Sequence, residues 1–518
     1  MPHAAGDPLV VETASGAVRG ALREGLRSWR GIPYAASTAG ANRFRAPQPP
    51  AVWDGVRDTV DWGDAAPQHE NKAIRLPEGV AQSEDCLSLN VLAPATGPTA
   101  PDAAGRPVLV WIHGGAYVAG SSAQPLFDGT RLVQTGDVVY VTVNYRLGAL
   151  GFLDFSSLGI GAETNLGLRD ILAALAWVQR NIAAFGGDPG NVTLFGESAG
   201  AGCVTTLLTS PAASGLFQRA IAESSPATSV YGQARAADVA RRFLDLAGVP
   251  HDEPERLREL PAEALGQAAF ELVAAVSAAS PGTLAIAPVV DGDVVPEHPV
   301  DAFRAGHQLP VPLVIGTNRD EASLFRLMKS PLMPITAPSV HAMFEQIALE
   351  RPDLDLAEAE PRIEQAYPHF PHHSTPAELA RDAGFRMPSI WLAAAHSTVA
   401  PTRMYRFDHA TPMLRLLGIG ATHGAEIAYV FGTFGVAKRD PSFRLGGLAE
   451  AKRLSAQVQH RWLAFAADGD PRGADGSAWP LYDGSTRTTL VFGGGETVVD
   501  DPDAAIRTAW GDEVIGFE

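Results

Sequence analysis

Short runs of consecutive apolar residues rich in β-branched side chains recur along the chain at PVLVWI (107–112), VVYVTV (138–143), NVTLF (191–195), PLVIG (312–316) and TTLVF (488–492). Runs this short that do not alternate with polar residues fit strands covered on both faces, as in a mostly parallel sheet. Between the second and third runs, Leu168, Ile171, Leu172, Leu175, Val178 and Ile182 return at the spacing of one helix face. Asn165 and Gly186 bracket that stretch as start and stop signals, so it predicts a strand, helix, strand crossover. Residues 230–285 and 325–400 carry alanine, leucine and charged residues in helical patterns and few strand-like runs, which predicts helical excursions from the sheet. No long polar linker and no repeat of solenoid or propeller period interrupts the chain, favouring one integrated α/β domain over residues 1–518. The stretch APATGPTAPDAAG (93–105) is expected to be a surface loop.

Composition narrows the class. The 518 residues are 46% hydrophobic and 19% charged, with no apolar run near the ~20 residues a membrane span needs, so a soluble globular protein without a membrane partner is expected. A formal net charge of -18 repels polyanions and argues against nucleic acid as a partner. The first 25 residues have neither a basic start nor an apolar stretch of signal-peptide type. Only Cys86 and Cys203 occur, too few for a disulfide framework or a thiolate metal cluster, and a reducing cytoplasm is the simplest compartment.

The chemistry centres on LFGESAGA (194–201). A G-x-S-x-G match alone is weak, since a chain with 52 glycines in 518 residues should hold roughly 0.3 by chance. Here NVTLF precedes it as a strand and AGAGCVTTLL follows it as a helix, the strand-to-helix elbow that presents a nucleophilic serine, Ser198. Acyl transfer also needs donors for a tetrahedral oxyanion. In WIHGGAYVAG (111–120) the amides of Gly115 and Ala116, with that of Ala199, are the candidate hole. His423, in the glycine-rich GIGATHGAEIAYVFG (418–432), is the best-placed base of fourteen histidines. Asp320 and Glu321 both follow the strand PLVIG, and either completes the chain order serine, acid, histidine of an α/β-hydrolase; spacing does not separate them. PHFPHH (368–373), with two prolines and no matching carboxylate or cysteine pattern, is expected to be a loop rather than a metal site. VVDGD (289–293) lacks the later glutamate of a calcium loop and is read as a turn.

Together these segments resemble the type-B carboxylesterases, and within them the bacterial para-nitrobenzyl-esterase-like enzymes. The resemblance covers nearly the whole chain: GIPYA (31–35), RFRAP (43–47), SEDCLSLNV (83–91), HGGAY (113–117), PLFDG (125–129), NYRLGALGFL (144–153), FGGDPGNVTLFGESAGA (185–201), PVVDGD (288–293), GTNRDE (316–321), HGAEIAYVFG (423–432) and SAWPLYD (477–483). It implies an α/β-hydrolase fold, a large central mostly parallel sheet flanked by helices, with helical insertions shaping an active-site gorge. It selects Glu321 as the acid beside Ser198 and His423, gives supporting roles to Glu197 and Ser224, and pairs Arg43 with Glu84 and Arg146 with Asp170. Secreted relatives pair the cysteine of SEDCL with an upstream cysteine that this chain lacks at GDAAPQ (63–68), so Cys86 is expected to be a free thiol. Residues 67–85 contain no aromatic to bind a choline group. Ala322 stands where a glycine is usual and Glu223 where a glutamine is usual, which leaves the finer hydrogen bonding of the site open.

The resulting expectation is a serine carboxylic-ester hydrolase that forms an acyl-enzyme on Ser198 and needs no metal and no organic cofactor, its partners being a small ester and water. A non-catalytic adhesion protein on the same fold and an interfacial lipase are the alternatives. Phe325, Phe385, Met387 and Trp391 are candidates to line an apolar substrate pocket, with a core role equally open. Monomer and homodimer both remain compatible with the sequence.

Overall fold

The computed structural model describes residues 7–70, 74–96, 105–372, 374–435 and 441–518. Its centre is an eleven-stranded sheet. In chain order the strands are β1 (Ala21–Arg23), β2 (Leu26–Pro33), β3 (Ser88–Pro94), β4 (Arg106–Ile112), β5 (Val139–Val143), β6 (Gly187–Glu197), β7 (Arg219–Glu223), β8 (Leu313–Asn318), β9 (Thr402–Phe407), β10 (Thr488–Phe492) and β11 (Glu496–Asp500). Across the sheet they lie in the order β11, β10, β9, β8, β7, β6, β4, β5, β3, β2, β1. From β10 to β5 every pairing is parallel, and antiparallel strands close both flanks.

All five expected strands are present. Their unbroken apolar character has a direct cause along β4: Val108, Val110 and Ile112 join one buried core, while Leu109 and Trp111 join a second core on the opposite face. With helices on both faces, successive side chains all enter apolar surroundings, so nothing alternates. The flanking strands β1 to β3 and a separate three-stranded sheet of Val10–Thr13, Gly16–Arg19 and Val56–Asp58 were not expected from the sequence. Their residues are mixed, as in LRSWRGIP, where the buried Arg27 and Ser28 break the apolar run that marks the central strands.

The helices that matter for the site are α1 (Leu166–Asn181), α2 (Ala199–Leu207), α3 (Gln233–Ala247), α4 (Ala262–Ala279), α5 (Ser323–Met328), α6 (Ala337–Glu350), α7 (Leu356–Gln365), α8 (Thr375–Arg381), α9 (Met387–His396) and α10 (Leu448–Asp468). Helix α1 is the expected crossover, and α3 to α9 occupy the two stretches read as helical excursions. Asn165 stands at the start of α1, but its side chain caps nothing there. Its amide nitrogen instead donates to Val289 O (2.7 Å) and Asp291 Oδ2 (2.8 Å), and its carbonyl accepts from Val289 N (2.9 Å). The VVDGD turn is thereby stitched to the helix start, with Asp291 also accepting from Thr164 Oγ1 (2.6 Å). Gly186, at φ +94°, ends the short turn Ile182–Phe185 that follows α1 rather than α1 itself.

Both expected ion pairs form. Arg43 Nε lies 2.8 Å from Glu84 Oε2. Arg146 clasps Asp170 with Nε at 2.7 Å and Nη2 at 2.6 Å, both side chains being buried. Cys86 and Cys203 are buried free thiols, and burial pushes both well above the ordinary thiol range. Residues 97–104 of the proline-rich stretch and His373 of PHFPHH lie outside the described residues. Among the described residues no helix is long and apolar enough to cross a membrane.

The Arg146 and Asp170 pair generates a stability prediction. Removing one partner leaves a buried charge uncompensated, so Asp170→Ala is expected to cost about 3–5 kcal/mol, read as a lowered denaturant midpoint. An Arg146→Met/Asp170→Leu double variant, which removes both charges, is expected to regain part of that loss. A single variant with the parental midpoint would contradict the assignment.

Candidate active site

Strand β6 runs straight into α2, and Ser198 sits at the junction with φ +57° and ψ -126°, a conformation few non-glycine residues adopt. The sharpness of this elbow depends on its two glycines. A Cβ on Gly200 would stand 2.1 Å from Ile112 O, and one on Gly196 would stand 2.7 Å from the same oxygen. The elbow therefore presses directly on the end of β4. Ser198 N donates to Glu223 O (2.9 Å), which ties the junction to β7 on its other side.

The structure brings Ser198, His423 and Glu321 into one hydrogen-bonded line. Ser198 Oγ is 2.8 Å from His423 Nε2, and His423 Nδ1 is 2.7 Å from Glu321 Oε2. Glu321 is fully buried, and its other oxygen accepts from Asn318 N (2.7 Å) and Ser224 Oγ (2.6 Å). Asp320, which spacing left in competition, turns away: its carboxylate accepts from Arg319 Nη2 (2.9 Å) and Ala421 N (2.9 Å). The geometry thus joins Glu321, not Asp320, to the histidine.

The three expected oxyanion donors surround the same serine. Gly115, Ala116 and Ala199 line one cavity with Ser198, and among the described residues their amides donate to no protein acceptor. The loop that carries Gly115 and Ala116 is held in an unusual backbone. Gly115 has φ +126°, and a Cβ there would stand 1.8 Å from Ala119 O; Ala116 and Tyr117 follow at φ +53° and +63°. His113 anchors this loop from behind, stacked on Tyr145 at 4.6 Å, and burial lowers its pKa to about 4, so it is neutral.

Four buried carboxyl groups stand close together here, and three of them, Glu197, Glu321 and Glu426, act on one imidazole. Glu197 Oε1 lies 3.3 Å from His423 Nε2 and has no hydrogen-bond partner among the described residues. Burial raises Glu197 to about 7, with Glu321 adding to the rise and His423 opposing it. Glu426 is pushed well above the carboxylate range by burial and by Glu197, Glu321 and Glu223; its oxygens meet Ser224 Oγ (3.3 Å) and Asn318 Nδ2. Burial alone would depress the His423 imidazolium, but Glu197 and Glu321 outweigh it and hold the pKa at about 9. Ser224, expected in support of the site, is the hydroxyl that bridges Glu321 and Glu426. Glu426 was missed by sequence reasoning; the available signal was a carboxylate three residues after His423 inside the apolar stretch AEIAYVF.

A cavity of about 500 Å³ opens over Ser198. Phe325 and Phe385 both line it, their rings 5.4 and 4.6 Å from the His423 ring. Met387 and Trp391 do not. One helical turn apart on α9, they point into the main core, and Trp391 Nε1 donates to Gly511 O (3.1 Å). Phe385, in the π-helical turn Asp382–Arg386, stands two residues before Met387, and side chains at that spacing point to different faces of a helical segment. Further walls come from Leu324 and Met328 of α5, Met343 and Ile347 of α6, and Ile515 and Phe517 near the end of the chain. Ala322 has φ -82°, an ordinary helical value, so this position does not require glycine.

The chain matches the family model described as Carboxylesterase family over residues 7–504. It is 38% identical over 502 residues to a para-nitrobenzyl esterase of Bacillus subtilis (strain 168), covering 96% of this chain and 97% of that protein. It is 33% identical over 490 residues to carboxylesterase 4A of Bos taurus, covering 87% of this chain and 84% of that protein. Among solved structures, a thermophilic PNB esterase superposes with a TM-score of 0.86 at 36% identity, covering 98% of this chain and all (100%) of that one.

Glu223 yields the prediction of this site. It is fully buried, with one oxygen accepting from Trp462 Nε1 (2.8 Å) and the other unpartnered among the described residues, and burial raises its pKa to about 8. The folded state therefore keeps a proton that the unfolded chain releases above its ordinary value of 4.5, and stability from this group is lost as pH rises toward 8. Glu223→Gln keeps the acceptor for Trp462 in a permanently neutral side chain. The variant is expected to keep its activity at pH 7 within about threefold and to lose less stability than the parent between pH 5 and 8. Parallel stability curves for the two proteins would show that Glu223 carries no such proton.

Proposed function

We propose, for a chain that belongs to the carboxylesterase family and is a carboxylic ester hydrolase, that Ser198 is the nucleophile, His423 the general base and Glu321 the acid that orients it. The observation that carries the reading is the unbroken pair of hydrogen bonds, 2.8 Å from Ser198 Oγ to His423 and 2.7 Å from His423 to Glu321. Ser198 Oγ attacks the ester carbonyl carbon as its proton passes to His423 Nε2. The carbonyl oxygen becomes an oxyanion held by the amides of Gly115, Ala116 and Ala199. Collapse of the tetrahedral intermediate breaks the bond to the alcohol, which takes the proton from Nε2. Water then attacks the acyl-enzyme by the same route and releases the acid. Glu321 keeps Nδ1 protonated and Nε2 free to accept, and Glu197, 3.3 Å from Nε2, supports the imidazolium at each proton transfer.

The substrate class follows from the walls. Among the described residues the cavity is lined by leucine, isoleucine, methionine and phenylalanine, with no lysine or arginine, and its carboxylate is Glu197. Such walls favour neutral esters with apolar acyl and alcohol groups over substrates that carry a free acid near the scissile bond. A cytoplasmic location is supported by the two free buried thiols, Cys86 and Cys203.

Replacing Ser198 with alanine is expected to lower kcat/KM for p-nitrophenyl esters by about 10⁴-fold or more with folding intact. An organophosphate should add its mass to Ser198 and to no other residue; near-parental activity of the variant would remove Ser198 from the mechanism. The acid limb of the kcat/KM profile should lie above the ordinary histidine value of 6.5, because His423 must lose its proton to act. In Glu197→Gln one of the charges that holds that proton is gone, so the limb should move to lower pH, by about one unit, with a lower kcat. A limb that stays in place would show that Glu197 does not act through His423.

A further inference from the structure

Behind the loops that bear Glu321 and His423 lies a second cleft, of about 360 Å³, separate from the substrate cavity. Its walls are the segment 319–323 with Arg326 of α5, the face of α8 carrying Glu378 and Arg381, and the segment that carries Arg415, Gly418 and Gly420. Four arginines line it against two carboxylates. Both carboxylates are engaged locally: Asp320 takes hydrogen bonds from Arg319 and Ala421 N, and Glu378 takes one from Ser374 Oγ (2.7 Å). Arg319 is thus spent on Asp320, and Arg381 is held by both oxygens of the buried Asp382, at 2.7 Å each. Among the described residues neither Arg326 nor Arg415 has a carboxylate within ion-pairing distance.

This surplus is unusual for its context. The chain holds 58 acidic residues against 40 basic ones, yet among the described residues Glu378 is the one carboxylate of the cleft left to face both Arg326 and Arg415, which leaves the cleft positive. Arg326 and Arg415 come from two separate elements and both are exposed, so water screens their repulsion until an anion settles between them. Each guanidinium offers a planar fork that a phosphate satisfies with two oxygens. Two forks arriving from separate elements call for a ligand with oxygens on several sides, which a single carboxylate does not supply. A volume of this size takes a pyrophosphate with its water.

From this geometry we infer that the cleft between α5, α8 and the 415–420 segment binds a phosphate-bearing anion, with Arg326 and Arg415 as its principal contacts. The site is distinct from the ester-binding cavity: among the described residues none lines both. Arg319, on the cleft wall, shares Asp320 with Ala421 N, two residues before His423.

Sodium pyrophosphate titrated calorimetrically into the full-length protein at low ionic strength tests the inference. One saturable site per chain is expected, with affinity at least about tenfold weaker in an Arg326→Ala/Arg415→Ala double variant that retains the parental thermal midpoint and esterase activity. The two single variants, each expected to show an intermediate loss, carry the same comparison if the double variant is less stable. Equal affinity in parent and variants, or no saturable binding to the parent at millimolar pyrophosphate, would overturn the site.

Discussion

The closeness with which the strand-to-helix elbow approaches the end of β4 governs the geometry of the site. Gly196 and Gly200 let Ile112 O stand where any side chain would collide, and the contact fixes two things together. It forces Ser198 into its positive-φ conformation, lifting Oγ off the sheet toward His423. It also brings the start of α2 against the loop that leaves β4, so the amide of Ala199 joins those of Gly115 and Ala116 around one point. Were the two strands farther apart, Ser198 and the amides of Gly115 and Ala116 would belong to separate pockets. Strain of this kind persists only where neighbours over-determine it, and here Glu223 O, Gly202 N and the β4 carbonyl act from different sides.

Charge is the second constraint, and it follows from the first. A compact elbow at the centre of a sheet buries whatever stands beside it, so Glu197, Glu223, Glu321 and Glu426 all lose water at once. One imidazole cannot balance four carboxylates. The site resolves the conflict unequally: Glu321 collects hydrogen bonds from Asn318, Ser224 and His423, while Glu223 and Glu426 are driven toward the neutral form. The negative charge that remains is concentrated where an imidazolium forms, in surroundings where little water is present to screen it.

How much of this was legible in the sequence depended on whether the determining contacts were local. The parallel core strands were legible because burial on both faces leaves an unbroken apolar run, and α1 because its apolar face repeats. The meeting of Ser198, Glu321 and His423 could be anticipated because each ends a strand or follows one at the same sheet edge. Asp320 against Glu321 was not decidable from the residues, since adjacent carboxylates differ only in which way the loop turns. Asn165 looked like a helix cap and instead bonds a turn more than a hundred residues away. Met387 and Trp391 looked like pocket residues beside Phe385, but two and six residues further along the helical segment they fall on its core-facing side. The wall from Ile515 to Phe517 is a product of tertiary packing that no local pattern encodes, whereas Glu426 left a local trace, a lone carboxylate in an apolar stretch.

The distribution of arginine completes the physical picture. None lines the ester-binding cavity among the described residues, where a cation would compete with His423 for Glu197 and weaken support for the imidazolium. Several stand just outside, on the far side of the loops that carry Glu321 and His423, where Arg319 and Arg381 are each held by the carboxylate next in sequence. Such pairs between neighbours in the chain cancel locally and project little field inward. The protein can therefore carry several arginines within a few residues of Glu321 without unloading the negative charge beside the imidazole.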